Sequence, residues 1–532
     1  MDRLPQDIYD EIGEYLSKSN FDRPALATIS RRWQGAIERH TFREISANST
    51  ELERFRDIVQ HDRRRYVKKL NYLIILPAYS EDARARFERE EDRQANDEGF
   101  TTAIHCLFHI LKVWDVHKDG YIEFSIKDVY SISDHEFLVA SSVNKGNNTL
   151  YPWGFRTDGS TARRVVDLEA WRHKYSYLRL LRSSELPIVH VVTSFETRPF
   201  TRRICDRVAI DIAAKLPNLL DTWLKFNDWE IPYLALRRTH RHDLVQAISN
   251  ILPQSSALQK LRIIIGSVYF WSPSWYHGNL SLNGAVPDPL CNAFRVTTSL
   301  MRNLKELFIY GDVDASIMWP SSGPVSPEPY WQGLQRLRVH FTARRPSGGC
   351  YFLEPGNTTV ISDAQARFDK KMPPGYGFSE EEDIRAAESF CLRDNVISKG
   401  SCHVDVVPND SLIPLMEAFG RVCLQLPMLK AAELCSTIPG LDETDKTHTS
   451  YRRSIWGVWY FSPGTTHRGK EFYDPAFFED TDQRRLFWDV KSWRPSAHLS
   501  NLLRSIGKDR HGDQLVEKFV DSWNSVRKQR PR

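Results

Sequence analysis

One pattern recurs through the middle of the chain and limits its fold more than any other feature. Leu258-x-x-Leu261-x-Ile263, Leu304-x-x-Leu307-x-Ile309 and Leu334-x-x-Leu337-x-Val339 share the form Leu-x-x-Leu-x-Ile/Val. Two looser copies are Leu216-Pro217-Asn218-Leu219 running to Trp223, and Met428-Leu429 running to Leu434. Apolar residues two apart read as a short strand with a buried face. Stretches of helical character lead into several copies: Arg203 to Leu216, Asp243 to Leu252 and Leu412 to Leu426. One strand–helix unit cannot bury its own apolar face, and the next unit stacked on it supplies the cover. The expected fold class is therefore α/β, with the copies as neighbouring strands.

This pattern resembles a degenerate leucine-rich repeat. The first four copies are about 30 to 46 residues apart, against about 20–29 in a regular array, and the last lies beyond a long insertion. The array is expected to be an irregular strand/helix solenoid. A non-repetitive α/β domain whose parallel strands share the pattern is the alternative.

Outside the copies the period changes. Glu51 to Gln60 reads as a polar helix and Tyr66 to Leu76 as a buried strand. Arg84 to Asp97 mixes Arg with Glu and reads as a solvated helix or loop. Ile104, Leu107, Phe108 and Leu111 have helical spacing, and a strand begins at Tyr121. Loops rich in Pro and Gly cover Trp271 to Pro289, Trp319 to Pro329 and Arg344 to Gly377. Trp456 to Phe461 and Leu486 to Val490 read as a strand pair, and Leu499, Leu502, Leu503 and Ile506 as a last amphipathic helix.

The N-terminus poses a burial problem. Ile8, Ile12 and Leu16 follow Leu4-Pro5 at helical spacing, and Pro5 suits a helix start. Leu26, Ile29 and Trp33 follow Pro24 as a second short helix with its own stripe. A segment this short cannot bury both stripes alone. Leu4-Pro5-Gln6-Asp7-Ile8, then Ile12 and Leu16, then Ile29-Ser30-Arg31-Arg32-Trp33 resemble the F-box of fungal F-box proteins, with Asp7 where that family usually has Glu. Thr41 to Ile45 is similar to the segment leading from F-box to substrate domain in filamentous-fungal members, and the Trp-Arg-Pro turn at Trp493 resembles their C-terminal part. The resemblance implies that Leu4, Pro5, Ile8, Ile12, Leu16, Leu26, Ile29 and Trp33 dock on the Skp adaptor of a Skp–cullin–F-box ubiquitin ligase. The alternative is a helical subdomain packed on its own core.

Composition adds limits. The net charge of +4 over 532 residues gives no general argument for nucleic-acid binding. No apolar run reaches the ~18 residues of a membrane span. The acidic N-terminus lacks the form of a signal peptide, so a cytoplasmic or nuclear protein with reduced cysteines is expected. Asp115-x-His117-x-Asp119-Gly120 echoes a calcium loop but places Ile126 where a bidentate Glu is required, so a helix-to-strand turn is expected. Cys391, Cys402, His403 and Cys423 lack zinc-site spacing. Arg63-Arg64-Arg65 with Lys68-Lys69 reads as a solvated turn before a strand, with a phosphate-facing or nuclear-import patch as the alternative. Trp271, Trp275 and Tyr276 are candidate loop anchors for a protein partner or a lid on the core.

The combined expectation is an F-box domain over 1–45, a degenerate leucine-rich-repeat-like substrate-recognition domain over 46–440, and a Trp-rich strand/helix cap over 441–532. Such a chain is no enzyme and uses no cofactor. It holds an unidentified protein substrate near the cullin ligase and raises its local concentration there. Two other readings stay open: an F-box-like scaffold outside a ligase, and an enzyme whose site is scattered over the array.

Overall fold

The computed structural model describes residues 5–17, 23–84, 86–134, 172–173, 175–197, 201–226, 234–250, 257–266, 279–281, 287–320, 331–348, 350–353, 375–376, 407–408, 410–441, 451–465 and 480–519. The fold is mixed α/β with a large, mostly parallel sheet. Contacts divide the chain into two compact units: Met1–Trp223 with Pro374–Ile384, and Leu224–Pro373 with Arg385–Arg532.

The first unit begins with helices α1 (Gln6–Ser17), α2 (Arg23–Ala27) and α3 (Arg31–Thr41), then strand β1 (Glu44–Asn48). Helices α4 (Leu52–Ile58) and α5 (Asp62–Tyr66) lead to β2 (Lys69–Leu76), and α6 (Glu81–Arg84), α7 (Glu90–Lys112) and α8 (Val116–Asp119) to β3 (Ile122–Ser131). β4 (Tyr177–Leu178), β5 (Val192–Thr197), β6 (Arg203–Ile204) and the helix Asp206–Ala213 follow. β7 (Asp221–Phe226) contains the division between the units. β1, β2, β3, β5 and β7 are neighbours in that order, and every pairing is parallel. β4 and β6 make a separate parallel pair.

The long helix α7 covers this sheet. Phe100, Ile104, Leu107, Phe108 and Leu111 recur at helical spacing and are all buried. Phe108 meets Phe124 of β3 edge-on at 6.2 Å, and Phe124 stacks on Phe195 of β5 at 5.5 Å. The Tyr72 hydroxyl of β2 donates to the Ala103 carbonyl at 2.9 Å, which pins helix to strand. Burying each such side chain contributes about 1.5–3 kcal/mol.

The second unit shows why the recurrent pattern matters. β8 (Lys260–Ile265), β9 (Glu306–Gly311), β10 (Arg336–Phe341) and β13 (Ala431–Leu441) are parallel neighbours. Leu261, Leu307, Leu337 and Ala432 lie opposite one another, as do Ile263, Ile309, Val339 and Leu434. Every one of them is buried. The leading Leu258, Leu304, Leu334 and Leu429 are buried as well. One carbonyl opens each next strand by accepting two bonds. The Gln259 oxygen takes the N–H groups of Lys305 and Glu306, that of Lys305 takes Gln335 and Arg336, and that of Gln335 takes Lys430 and Ala431. The copies are thus one local structure in one register.

Beyond β13 the sheet turns antiparallel. β14 (Tyr451–Phe461) pairs with β13 from Ala431↔Phe461 to Leu441↔Tyr451, and β15 (Arg484–Asp489) runs antiparallel to β14. β16 (Leu515–Phe519) is parallel to β15. The short strands Phe352–Leu353 and Val407–Pro408, which are β11 and β12, pair antiparallel. Helices Leu234–Asn250, Pro289–Ser299, Leu412–Gln425 and Ala497–Arg504 lie between the strands in sequence.

Three expectations need correction. The stretch Arg84 to Asp97 is not solvated throughout: Glu88, Arg93, Asn96 and Asp97 are buried, because arginines distant in sequence neutralise the carboxylates. The second N-terminal stripe does not lie on one helix. Leu26 is on α2, Ile29 is in the turn after it, and Trp33 is on α3, since Ser30 caps a fresh helix start there. Arg63 to Arg65 of the basic run lie on a short helix, α5, where a turn was expected, and none of its residues is buried.

Candidate functional site

Helices α1, α2 and α3 build the candidate site. Tyr9 and Gly13 face α3, where Ala36 and Ile37 are buried. A side chain at Gly13 would stand 3.6 Å from the Ala36 methyl, so the two helices approach closely there. Tyr9 meets Trp33 edge-on at 5.2 Å between ring centroids. Polar contacts fix the arrangement. Asp10 pairs with Arg39, the His40 Nε2 lies 3.2 Å from the Asp10 carbonyl oxygen, and Gln6 Nε2 donates to the Arg32 carbonyl at 3.1 Å. The Ser30 hydroxyl accepts the Trp33 N–H and caps α3.

The cluster is seated on α5. Arg63 donates to Glu38 at 2.7 Å, and its guanidinium lies 5.1 Å from the Phe42 ring. Partial burial works to raise the Glu38 pKa, but hydrogen bonds from Arg63 and Gln34 outweigh it, and the carboxyl sits below its ordinary value. Three arginines of the basic run have local work. Arg64 faces Trp114 and Arg65 pairs with Asp62, beside the Arg63 contacts.

The internal core of these helices leaves part of the apolar set exposed. Ile12 is 36 % exposed, Ile29 60 % and Tyr15 77 %. Pro5 is exposed, while Ile8, Leu16, Leu26 and Trp33 are half-buried. Leu4 lies outside the described residues. Sequence reasoning missed Tyr9, Gly13, Ala36 and Ile37, which hold the helices together. Their signal was present: Tyr9 and Gly13 are four apart, and a small residue at Gly13 matches a small residue at Ala36. Tyr15 was missed too, as the aromatic that extends the exposed stripe.

A second surface lies on the strands of the second unit. The residues between the buried ladder positions point to the opposite face. Arg262, Phe308, Arg338 and Glu433 form one row, and Ile264, Tyr310, His340 and Cys435 the next. All but Glu433 and Cys435 are half-buried. Arg338 lies 5.2 Å from the Phe308 ring centroid and donates to Glu433 at 3.0 Å. His340 packs on Phe308 at 4.9 Å and approaches Glu433 at 3.3 Å.

The other candidates for chemistry have structural partners. Asp115 caps α8 by accepting the His117 N–H, and Asp119 accepts the Asp115 N–H at 2.8 Å. Gly120, at φ +79°, then turns the chain into β3. Cys423 is buried, and burial pushes its thiol far above the ordinary value. Cys391, Cys402, His403, Trp271, Trp275 and Tyr276 lie outside the described residues. Among the described residues no group of three or more His, Cys, Asp or Glu is placed to hold a metal ion.

A dense cluster of buried charge lies in the first unit. Arg202 reaches Asp134 at 3.1 Å and also binds Glu88. Tyr79 donates to Asp134 at 2.6 Å, and Asn96 to Glu88 at 3.1 Å. Arg172 adds Asp92 at 2.9 Å. Burial alone would raise the pKa of Glu88 and of Asp134, but the Arg202 charge overrides it and both lie below their ordinary values. The neighbouring His173 has Nε2 3.0 Å from the Thr201 carbonyl oxygen and Nδ1 sealed from water. Burial first, and the Arg202 charge second, depress its pKa to about 4, so it is neutral near pH 7.

No protein-family model matches the chain, and no curated protein matches it as a relative. No candidate transmembrane helix, long and apolar enough to cross a membrane, occurs among the described residues.

Proposed function

We propose that the chain is the substrate-recognition subunit of a Skp–cullin–F-box ubiquitin ligase. The observation that carries this reading is the apolar stripe left outside a helical cluster that already has its own core. Ile12, Tyr15 and Ile29 stay exposed although Tyr9, Gly13, Ala36 and Ile37 close the packing between α1 and α3. An apolar surface that internal packing does not need suits a partner. The Skp adaptor is the partner implied by the resemblance of Pro5, Ile8, Ile12, Leu16, Leu26, Ile29 and Trp33, with Leu4, to an F-box.

The repeat reading completes the proposal. The register shared by β8, β9, β10 and β13 supports a degenerate leucine-rich-repeat solenoid. Its outward strand face, with Arg262, Phe308, Tyr310, Arg338 and His340, would present the protein substrate. Aromatic and arginine side chains dominate the binding energy of many protein interfaces. The chain then makes no bond itself; it brings a substrate to the ligase at high local concentration.

The test is co-purification of the full chain with a Skp adaptor at micromolar concentration. The adaptor should be captured by the wild-type chain. Ile12→Asp with Ile29→Asp should reduce capture at least tenfold, because a charge then meets the apolar contact. Ile29 is 60 % exposed and Ile12 36 %, so the pair should lower stability by about 1–2 kcal/mol, mainly at Ile12, and leave the chain folded. No capture by the wild-type chain sinks the ligase reading.

A further inference from the structure

The guanidinium of Arg93, near the start of α7, is buried and shared among several partners. Nη1 donates to the Glu88 carbonyl at 2.7 Å and to the Gly375 carbonyl at 2.9 Å. Nη2 donates to the Glu90 carboxylate at 2.7 Å. The guanidinium carbon lies 3.8 Å from the centroid of the Tyr376 ring, a cation held against a π face. The Tyr376 hydroxyl donates to the Tyr175 carbonyl at 3.1 Å, and the Tyr175 ring packs on Phe87 at 5.6 Å. Gly375 has φ +86°, and a side chain there would overlap the Glu88 carbonyl oxygen. Only glycine fits both the backbone angle and the space.

The receiving residues named above come from positions 87 to 175, and the Arg179 charge also acts on Tyr376, whereas Gly375 is 282 positions from Arg93. Each thing that Arg93, Glu88 and Tyr175 read belongs to the dipeptide itself. They read a carbonyl oxygen, an aromatic face, a phenolic hydroxyl and the absence of a Cβ. Nothing in that set depends on which chain carries the dipeptide.

We propose that the first unit holds a recognition pocket for a Gly-Tyr turn, filled in cis by Gly375–Tyr376, which a Gly-Tyr turn of another protein can occupy in its place. A tethered occupant acts at an effective concentration of up to about millimolar, falling with the length of the tether. The wild-type chain therefore resists a competing turn, and weakening the cis contact exposes the pocket. The pocket does not rest on the ligase reading, since no adaptor takes part in it.

The probe is a fluorescently labelled peptide of residues 371–379, added to the full chain and followed by anisotropy. Tyr376→Ala removes the cis ring and should bind the peptide saturably, at least tenfold more tightly than the wild-type chain does. Tyr376→Phe keeps the ring on Arg93 but loses the bond to Tyr175, so it should also bind more tightly than wild type. This variant decides the matter if Tyr376→Ala does not fold. Replacing the peptide's own glycine or its own tyrosine by alanine should weaken binding at least tenfold. The proposal is overturned if neither protein variant binds saturably, or if the alanine peptides bind as well as the parent.

Discussion

Arg202 holds two buried carboxylates, Glu88 and Asp134, that would otherwise repel each other. Removing one partner of such a group leaves an uncompensated buried charge, at a cost of about 3–5 kcal/mol. Arg202→Met should therefore lower the urea midpoint of the full chain by a corresponding amount. His173 gives a pH signature of the same cluster. Its folded pKa, about 4, lies below the ordinary histidine value, so between roughly pH 6.5 and 4 the unfolded chain binds a proton that the folded chain does not. Stability must then fall as pH falls through that window, by up to about 1.4 kcal/mol per pH unit. Below it the lowered carboxylates take over, since their stabilisation is lost as pH drops through their folded values. His173→Gln keeps an N–H for the Thr201 carbonyl and cannot titrate. Its stability should be flatter between pH 6.5 and 4.5 by one proton, and an unchanged slope in urea titrations would remove His173 from this role. None of this was legible in the sequence. Glu88 looked like one charge in a solvated run because its neutralising partners, Arg172 and Arg202, are distant in sequence, and no local spacing announces them.

The strands were far more legible than the ion network. Leu-x-x-Leu-x-Ile marked β8, β9 and β10, because a buried row demands the same residue type at the same place in every unit. The looser copies marked β13, where Ala432 replaces the central leucine and stays buried, and roughly β7, which begins at Asp221, two residues after the Leu216/Leu219 pair. Among strands without the pattern, β2, β3, β14 and β15 were legible from longer apolar runs, while the shorter β1, β5 and β16 were missed. Five or six residues with mixed polarity carry little periodic signal. Helix α2 showed the opposite failure. Spacing alone joined Leu26, Ile29 and Trp33, but the Ser30 cap favours a new helix, and a stripe can continue across a turn. The exposed apolar positions of the N-terminal helices were legible as apolar spacing, while the fit of Gly13 on Ala36 needed the fold. Truncating a fully buried leucine in a row costs about 2–5 kcal/mol through lost burial and the cavity left behind. Leu307→Ala should lose that much in denaturant unfolding. Phe308→Ala, one residue away on the half-buried face, should cost less, and equal losses would contradict the assignment of faces.

At the scale of the molecule, the exposed N-terminal apolar residues and the buried strand rows belong to different compact units. Ile12 and Ile29 lie in the first, and Leu307 in the second. Residues without shared partners act nearly additively, so each change should leave the other property alone. Ile12→Asp with Ile29→Asp should reduce adaptor capture at least tenfold while the chain stays folded. Leu307→Ala should do the reverse: it should lower stability yet leave adaptor capture unchanged under conditions where the chain remains folded. The crossed pattern separates a dedicated docking surface from a general hydrophobic one. If Leu307→Ala weakens capture as much as the stripe variant does, binding reflects exposed core, and the stripe loses its assigned role. If the stripe variant unfolds the chain, Ile12 and Ile29 serve internal packing, and the surface that the adaptor needs is not there.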